Sequence, residues 1–263
     1  MVAGLLLARP VSSAVAATEY GRPLVQYFSP RAYQGTQPNW AGAQSATGPM
    51  YFANTGSLLV NDGAAWRHFQ VTPDGLNLRG LAFGPDGRLY LGGINIFGYL
   101  RPGTEDYVSL VEKLPEAERR VGQITQIVVQ GDTVCFVAEK TIFLWRDERF
   151  TQVPCAGGRL HAVGDTLYVT ALNQPLRRLA AGRLGTVADA PVVRENDIRF
   201  MGAGADGTVL LGTAKDGLWK FFPAEGGRFA PFATEVDRLP IACSLWFGSF
   251  VFAKISKCYQ YTS

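Results

Sequence analysis

Histidine is nearly absent from this chain: His68 and His161 are the only two among 263 residues. A serine or cysteine nucleophile activated by an imidazole base therefore has almost no partner to draw on. Neither H-E-x-x-H nor G-x-S-x-G occurs. His68 lies between Arg67 and Phe69 in an expected outer strand, and His161 opens an inner one; both read as packed or surface residues. Cysteine is equally sparse. Cys135, Cys155, Cys243 and Cys258 form no C-x-x-C pair and have no histidine beside them, which argues against a zinc site. Cys135 falls within an apolar strand pattern and should pack as a small hydrophobe. Cys243 and Cys258 are either free thiols or, in an exported protein, a candidate pair.

Long apolar runs are missing too. No stretch approaches the roughly 20 apolar residues needed to cross a bilayer, so no membrane span is expected. Residues 1–17 carry a short apolar core and end in Ala14-Val15-Ala16-Ala17, as a signal-peptidase site would, although a charged start is lacking. A signal peptide and a periplasmic or otherwise extracytoplasmic protein are expected; a disordered tail or a misplaced start codon is the alternative. Neither sign of charge dominates, with 25 basic against 22 acidic residues and a formal net charge of +3. With no basic stripe beside the tryptophans, nucleic acid is not an expected partner. Capped helical patterns are scarce. What the chain has is glycine (30 residues), apolar residues (47%) and aromatics (12%), distributed in many short runs. That pattern is all-β.

The runs recur. MYFAN (50–54), LYLGG (89–93), VCFVAE (134–139), LYVTA (167–171), VLLGTA (209–214) and FVFAK (250–254) stand at equivalent places, 33 to 45 residues apart. Most follow a glycine turn such as Asp86-Gly87, Gly131-Asp132 or Asp206-Gly207, suited to tight hairpins. A further apolar stretch precedes each turn, another follows each run, and a fourth is often visible. Four antiparallel strands about every 40 residues describe a blade of a β-propeller. The expected fold is all-β: five four-stranded blades near 38–72, 76–111, 121–154, 158–190 and 196–237, with a partial sixth at 238–263. An entry segment, 18–37, precedes them. In LYLGGINIFGYL, the first five residues form a second strand, Ile94-Asn95-Ile96 turns, and Phe97 begins the third.

Other motifs carry less. Gly202-Ala203-Gly204-Ala205-Asp206-Gly207 fits G-x-G-x-x-G, but a strand follows it where a dinucleotide fingerprint needs a helix. No cofactor is expected. Glu112, Glu116 and Glu118 lie beside Arg119 and Arg120 and read as a solvated connection between blades. A paired-carboxylate lyase or glycosidase formed by distant residues is the alternative. Trp66, Trp145 and Trp219 are expected to pack between neighbouring blades.

In a propeller, the turns after second strands and the entries to first strands share one face around the central channel. That rim should carry Asn54, Asn95, Lys140, Asn173, Lys215 and Lys257, with Trp40, Arg79 and Arg199 at nearby entries. Such amides and cations, held on stiff turns beside an aromatic, could bind an anionic or hydroxyl-rich ligand. An acidic oligosaccharide is the specific candidate.

Phe28-Ser29-Pro30, Asn39-Trp40, Asn61-Asp62-Gly63 with Trp66, Gly92-Gly93 with Phe97-Gly98-Tyr99, and Gly212-Thr213 with Asp216-Gly217-Leu218 resemble the two-component regulator propeller family. These propellers form the extracytoplasmic ligand-binding sensor regions of bacterial hybrid histidine kinases and related regulators. The resemblance runs over about residues 21–237 and is most specific in the first two blades. It implies a sensor without catalysis of its own, a small-molecule or oligosaccharide ligand, and a membrane-bound dimeric parent protein. Residues 241–263 depart from the pattern: Phe247 precedes Gly248 where aspartate is expected, and Cys258 stands where a glycine is expected. A truncated sensor fragment is one expectation, and a complete small propeller the other. A propeller scaffold that binds a protein partner is the alternative from another functional class.

Overall fold

The computed structural model describes residues 27–71, 77–232, 241–247 and 250–255, the last two stretches as backbone. The expected signal segment, Lys257, Cys258 and the side chain of Cys243 lie outside the described residues.

Five four-stranded antiparallel sheets follow one another along the chain, each in simple sequential order. Blade one comprises Asn39–Gln44, Met50–Asn54, Ser57–Asn61 and Trp66–Phe69, and blade two Leu78–Phe83, Leu89–Gly93, Phe97–Leu100 and Tyr107–Ser109. Blade three comprises Ile124–Gln130, Thr133–Ala138, Thr141–Arg146 and Arg149–Pro154. Blade four has Arg159–Val163, Thr166–Thr170, Leu176–Ala180 and Arg183–Ala188. Blade five has Ile198–Ala203, Val209–Thr213, Leu218–Phe222 and Arg228–Pro231. A two-stranded pair, Ile241–Phe247 with Phe250–Ile255, follows. The first strands of successive blades lie side by side, which is the radial arrangement of a β-propeller.

Buried apolar residues gather in four clusters, and each cluster is the seam between two consecutive blades. Side chains alternate across a strand, so a second strand feeds both of its seams. Leu89 and Leu91 join the seam with blade one, whereas Tyr90 between them joins the seam with blade three. Val134 and Phe136 face blade two, while Cys135 and Val137 face blade four. Both faces of these strands are therefore dry, and the apolar runs show no polar alternation. Burial alone pushes the Cys135 thiol up to about 12, so it packs as an inert hydrophobe.

The third strand of blade two needs its glycine. Tyr107 of the neighbouring strand lays its ring over Gly98, so a β-carbon there would stand 2.7 Å from Tyr107 Cε2 and collide with the Val108 carbonyl. Phe97 and Tyr99 on either side can then enter the aromatic seam with blade three, where Phe97 and Phe136 lie 4.6 Å apart.

Two connections carry short helical structure of their own. The run from Leu110 to Gly122 forms two short 3-10 turns, Val111–Lys113 and Glu116–Glu118. Leu110, Val111, Leu114 and Val121 plug into the seam of blades two and three, and the three glutamates stay exposed. The entry segment forms a single helical turn, Pro30–Tyr33, with proline at its start. Phe28 and Tyr33 pack on Trp66 at 5.2 and 5.4 Å, and Phe52 lies 5.5 Å away. Trp66 was expected between blades; it instead fastens the entry segment to blade one. Trp145 and Trp219 do lie in seams.

Candidate functional site

Hairpin geometry brings the end of each second strand and the start of each first strand to one face, the mouth. There the register contains a repeated irregularity. In blade one Asn39 pairs with Asn54 and Ala41 with Ala53, leaving Trp40 as an extra residue. The same β-bulge occurs at Arg79 in blade two, Thr125 in blade three and Arg199 in blade five. A bulge bends its strand and re-aims a side chain, which is why such positions gather near sites. Blade four pairs Arg159 with Thr170 and Leu160 with Val169 without interruption. The residue preceding that ladder is Gly158, whose β-carbon would collide with Cys155 Sγ.

The bulge positions therefore change character around the mouth. In blades one and two they hold large groups in contact: the Arg79 guanidinium lies 3.5 Å from the Trp40 ring centroid. Trp40 Nε1 donates to Thr55 Oγ1 at 3.1 Å, and the indole is still 46% exposed. In blades three and four the bulge threonine and Gly158 leave space. A cavity of about 380 Å³ opens there and extends to the entry of blade five. Its polar wall includes Gln126, Glu139, Arg159 and Asp197; Ala138, Ala171, Leu172 and Ile198 supply an apolar one.

The cavity residues are held from behind. Gln126 Oε1 accepts from the Leu160 backbone N–H at 3.0 Å, across the seam of blades three and four. Asp197 lies between two arginines, 3.1 Å from Arg199 Nη2 and 3.5 Å from Arg159 Nε. Asn196 is buried and donates through Nδ2 to Asp216 Oδ2 at 2.8 Å. Beneath Thr170, His161 places Nε2 3.0 Å from the threonine Oγ1. Burial, with a smaller contribution from nearby Arg159, pushes the His161 imidazole down to about 3, so it stays neutral at ordinary pH. His68 is exposed on the fourth strand of blade one.

The residues singled out by sequence divide into four groups. Trp40 and Arg79 come together as a stacked pair. Asn54, Asn95 and Asn173 serve the scaffold. Asn54 is fully buried; its Nδ2 donates to Thr36 O and Asn39 Oδ1, and its Oδ1 accepts from Thr36 Oγ1. The expected rim donor is thus spent on anchoring the entry segment. Asn95, at φ 55°, receives the Gly122 N–H on Oδ1 and donates its own N–H to Gly122 O. Asn173, at φ 60°, is tied to Arg194 through its backbone. Lys140 and Lys215 are exposed on mouth turns outside the cavity lining. Arg199 contributes through its pair with Asp197. Gln126, Glu139, Arg159 and Asp197 were not singled out. The legible clue was the Gly157-Gly158 entry of blade four, where the other blades have a bulkier residue.

Among the described residues no helix is long and apolar enough to cross a membrane. None of their histidine, cysteine and acidic side chains cluster as a metal site would require.

No model of a known protein family matches this sequence, and no curated protein matches it either. Solved structures do match by shape. The extracellular domain of a B. thetaiotaomicron protein described as a hybrid two component system is 16% identical, with a TM-score of 0.63 over 86% of this chain. The chain spans 31% of that neighbour's length. Streptogramin B lyase is 15% identical, with a TM-score of 0.61 over 82% of this chain and 76% of its own. BamB from Moraxella catarrhalis is 11% identical, with a TM-score of 0.55 over 81% of this chain and 68% of its own. At these identities the likeness establishes the fold: the chain is built as a β-propeller.

Proposed function

We propose that this chain is the ligand-binding propeller of an extracytoplasmic sensor, and that it holds a short oligosaccharide at its mouth without transforming it. The observation that carries the reading is the cavity at blades three to five, opened where Thr125 and Gly158 stand in place of the larger residues found in other blades. The mouth suits a sugar in two ways. Trp40 offers an exposed aromatic face, braced from behind by Arg79, for an apolar ring surface. The cavity wall offers fixed donors and acceptors for hydroxyl groups. The resemblance of the first two blades to two-component regulator propellers points the same way, as does the extracellular sensor among the structural neighbours.

A protein-binding scaffold is the second reading. Trp40, Ile94 and Leu172 are exposed large apolar residues at mouth positions of three different blades. A thermal-shift screen with neutral and acidic oligosaccharides separates the two. A ligand at about one hundred times its dissociation constant should add about 2.7 kcal/mol of stability. Loss of that gain in Trp40→Ala or Leu172→Asp, with the unliganded melting temperature unchanged, is the expected outcome. A chain that no oligosaccharide stabilises, but a macromolecule does, would support the scaffold.

A further inference from the structure

The mouth as ligand site is the reading on which the following rests. We infer that the cavity between blades three and five is a carboxylate-reading subsite, in which the Arg159 guanidinium and the Gln126 side-chain amide together bind an acidic group of the ligand.

The argument begins with charge. Asp197 is the carboxylate available to two arginines, and its closer contact is with Arg199 at 3.1 Å. The nearest approach of Arg159 to it is through Nε, at 3.5 Å. Among the described residues the terminal nitrogens of Arg159 have no hydrogen-bond acceptor, and the side chain remains 34% exposed at the cavity wall. Asp197 is shared by two guanidinium groups, so it neutralises Arg159 only in part, and the lining sets this one arginine against Asp197 and Glu139. The other acid of the lining, Glu139, makes no ion pair with Arg159. Its Oε2 stands 3.3 Å from where a β-carbon on Gly122 would be, toward the seam with blade two. Glu139 lines the cavity as an exposed carboxylate that can accept from ligand hydroxyl groups.

Gln126 completes the subsite. Its oxygen is engaged by the Leu160 N–H, which fixes the amide and leaves Nε2 without an acceptor among the described residues. That bond also carries the side chain across the seam to the residue next to Arg159. Two donors from different blades, a planar guanidinium and an oriented amide, form a pair suited to the two oxygens of a carboxylate. The sequence pointed to Arg79 and Lys215 for an acidic ligand. Arg79 stacks on Trp40 outside the cavity lining, and Lys215 lies outside it too.

The test is an NMR titration of the 263-residue chain with D-glucuronate, its neutral methyl ester and D-glucose. Glucuronate should bind about tenfold or more tightly than either neutral probe, the size expected of one charge-assisted contact. Arg159→Gln should remove that preference. Gln126→Glu keeps the bond to Leu160 N–H but replaces the donor with an acceptor of negative charge, and should remove it too. Melting temperatures of both variants, compared with the parent, show whether the fold is retained. Glucuronate binding that survives in folded Arg159→Gln overturns the inference, as does equal binding of acid and ester. If the ester and glucose bind as tightly as glucuronate, the subsite fails while the mouth reading stands. If no sugar of either kind binds, both fall.

Discussion

At the scale of single residues, the buried histidine is the group with most to say. His161 sits under the cavity in the first strand of blade four, bonded to Thr170 and shielded from water. Its imidazole is held near 3, against an ordinary value of 6.5. The native state therefore binds fewer protons than the unfolded chain at any pH between these values. By linkage, the stability this residue allows is complete above pH 6.5 and declines as the pH falls toward 3. At pH 5 the loss should reach about 2 kcal/mol, since each pH unit below the unfolded value counts for about 1.4. His161→Gln retains a partner for the threonine hydroxyl and cannot protonate. Urea unfolding at pH 7.5 and pH 5 should then show a smaller acid penalty in the variant, by about 2 kcal/mol. Equal penalties in the two proteins would mean that this imidazole is not kept neutral by the fold. Catalysis by His161 is also hard to reconcile with such burial, because a base must reach the proton it takes.

Strands and turns tell a different story about what a sequence discloses. Each second strand was visible because a blade dries both of its faces, and apolar runs flanked by Gly-Asp or Asp-Gly survive any reading of the chain. Bulges were not visible. Trp40, Arg79, Thr125 and Arg199 share no residue type, and only the pairing of Asn39 with Asn54 and its counterparts reveals that they share a role. Asn54 misled for a related reason: a loop-tip amide looks ready for a ligand until the entry segment is seen to consume it. The cavity is likewise a property of neighbouring blades, three to five, and it depends on what Thr125 and Gly158 lack. This yields a prediction at the element scale. Thr125→Arg gives blade three the side chain that blades two and five already carry at the same bulge. The strand accepts it there without loss of a ladder bond, because the bulged residue stands outside the pairing. The Thr125 hydroxyl bond to Val137 O, at 3.2 Å, is given up, so stability should fall by about 0.5–1.5 kcal/mol. Ligand stabilisation should disappear because the cavity is filled. Retained ligand binding in a folded Thr125→Arg protein would place the site elsewhere on the mouth.

For the molecule as a whole, the seams decide how the blades act together. Among the described residues the four apolar seams each join consecutive blades, so stability resembles a sum of blades and interfaces. The seam of blades two and three is the most aromatic. Phe136 is fully buried there and lies 4.6 Å from Phe97 and 6.0 Å from Tyr90, both residues of the preceding blade. Leu110, Val111, Leu114 and Val121 of the connecting segment close the same cluster. Outside it, Glu148 joins Lys113 at 2.8 Å and Arg88 at 3.3 Å, a bridge from blade three to the connection and to blade two. The hydrogen bond from Lys113, then that from Arg88, holds the Glu148 carboxyl below its usual range, but all three groups are partly exposed. Such an exterior network is worth little beside the aromatic packing, about 1 kcal/mol or less, and salt weakens it further. Removing the Phe136 ring should instead cost about 3–5 kcal/mol, through lost transfer energy and the cavity left behind. Because the cluster spans two blades and their connection, the cost should not stay in one sheet. Hydrogen exchange in Phe136→Ala should speed up together in Leu89–Gly93, Phe97–Leu100 and Thr133–Ala138, while the backbone of blade five keeps its protection. Acceleration confined to Thr133–Ala138 would show that the blades unfold independently, and that the seam is a contact rather than the unit of stability.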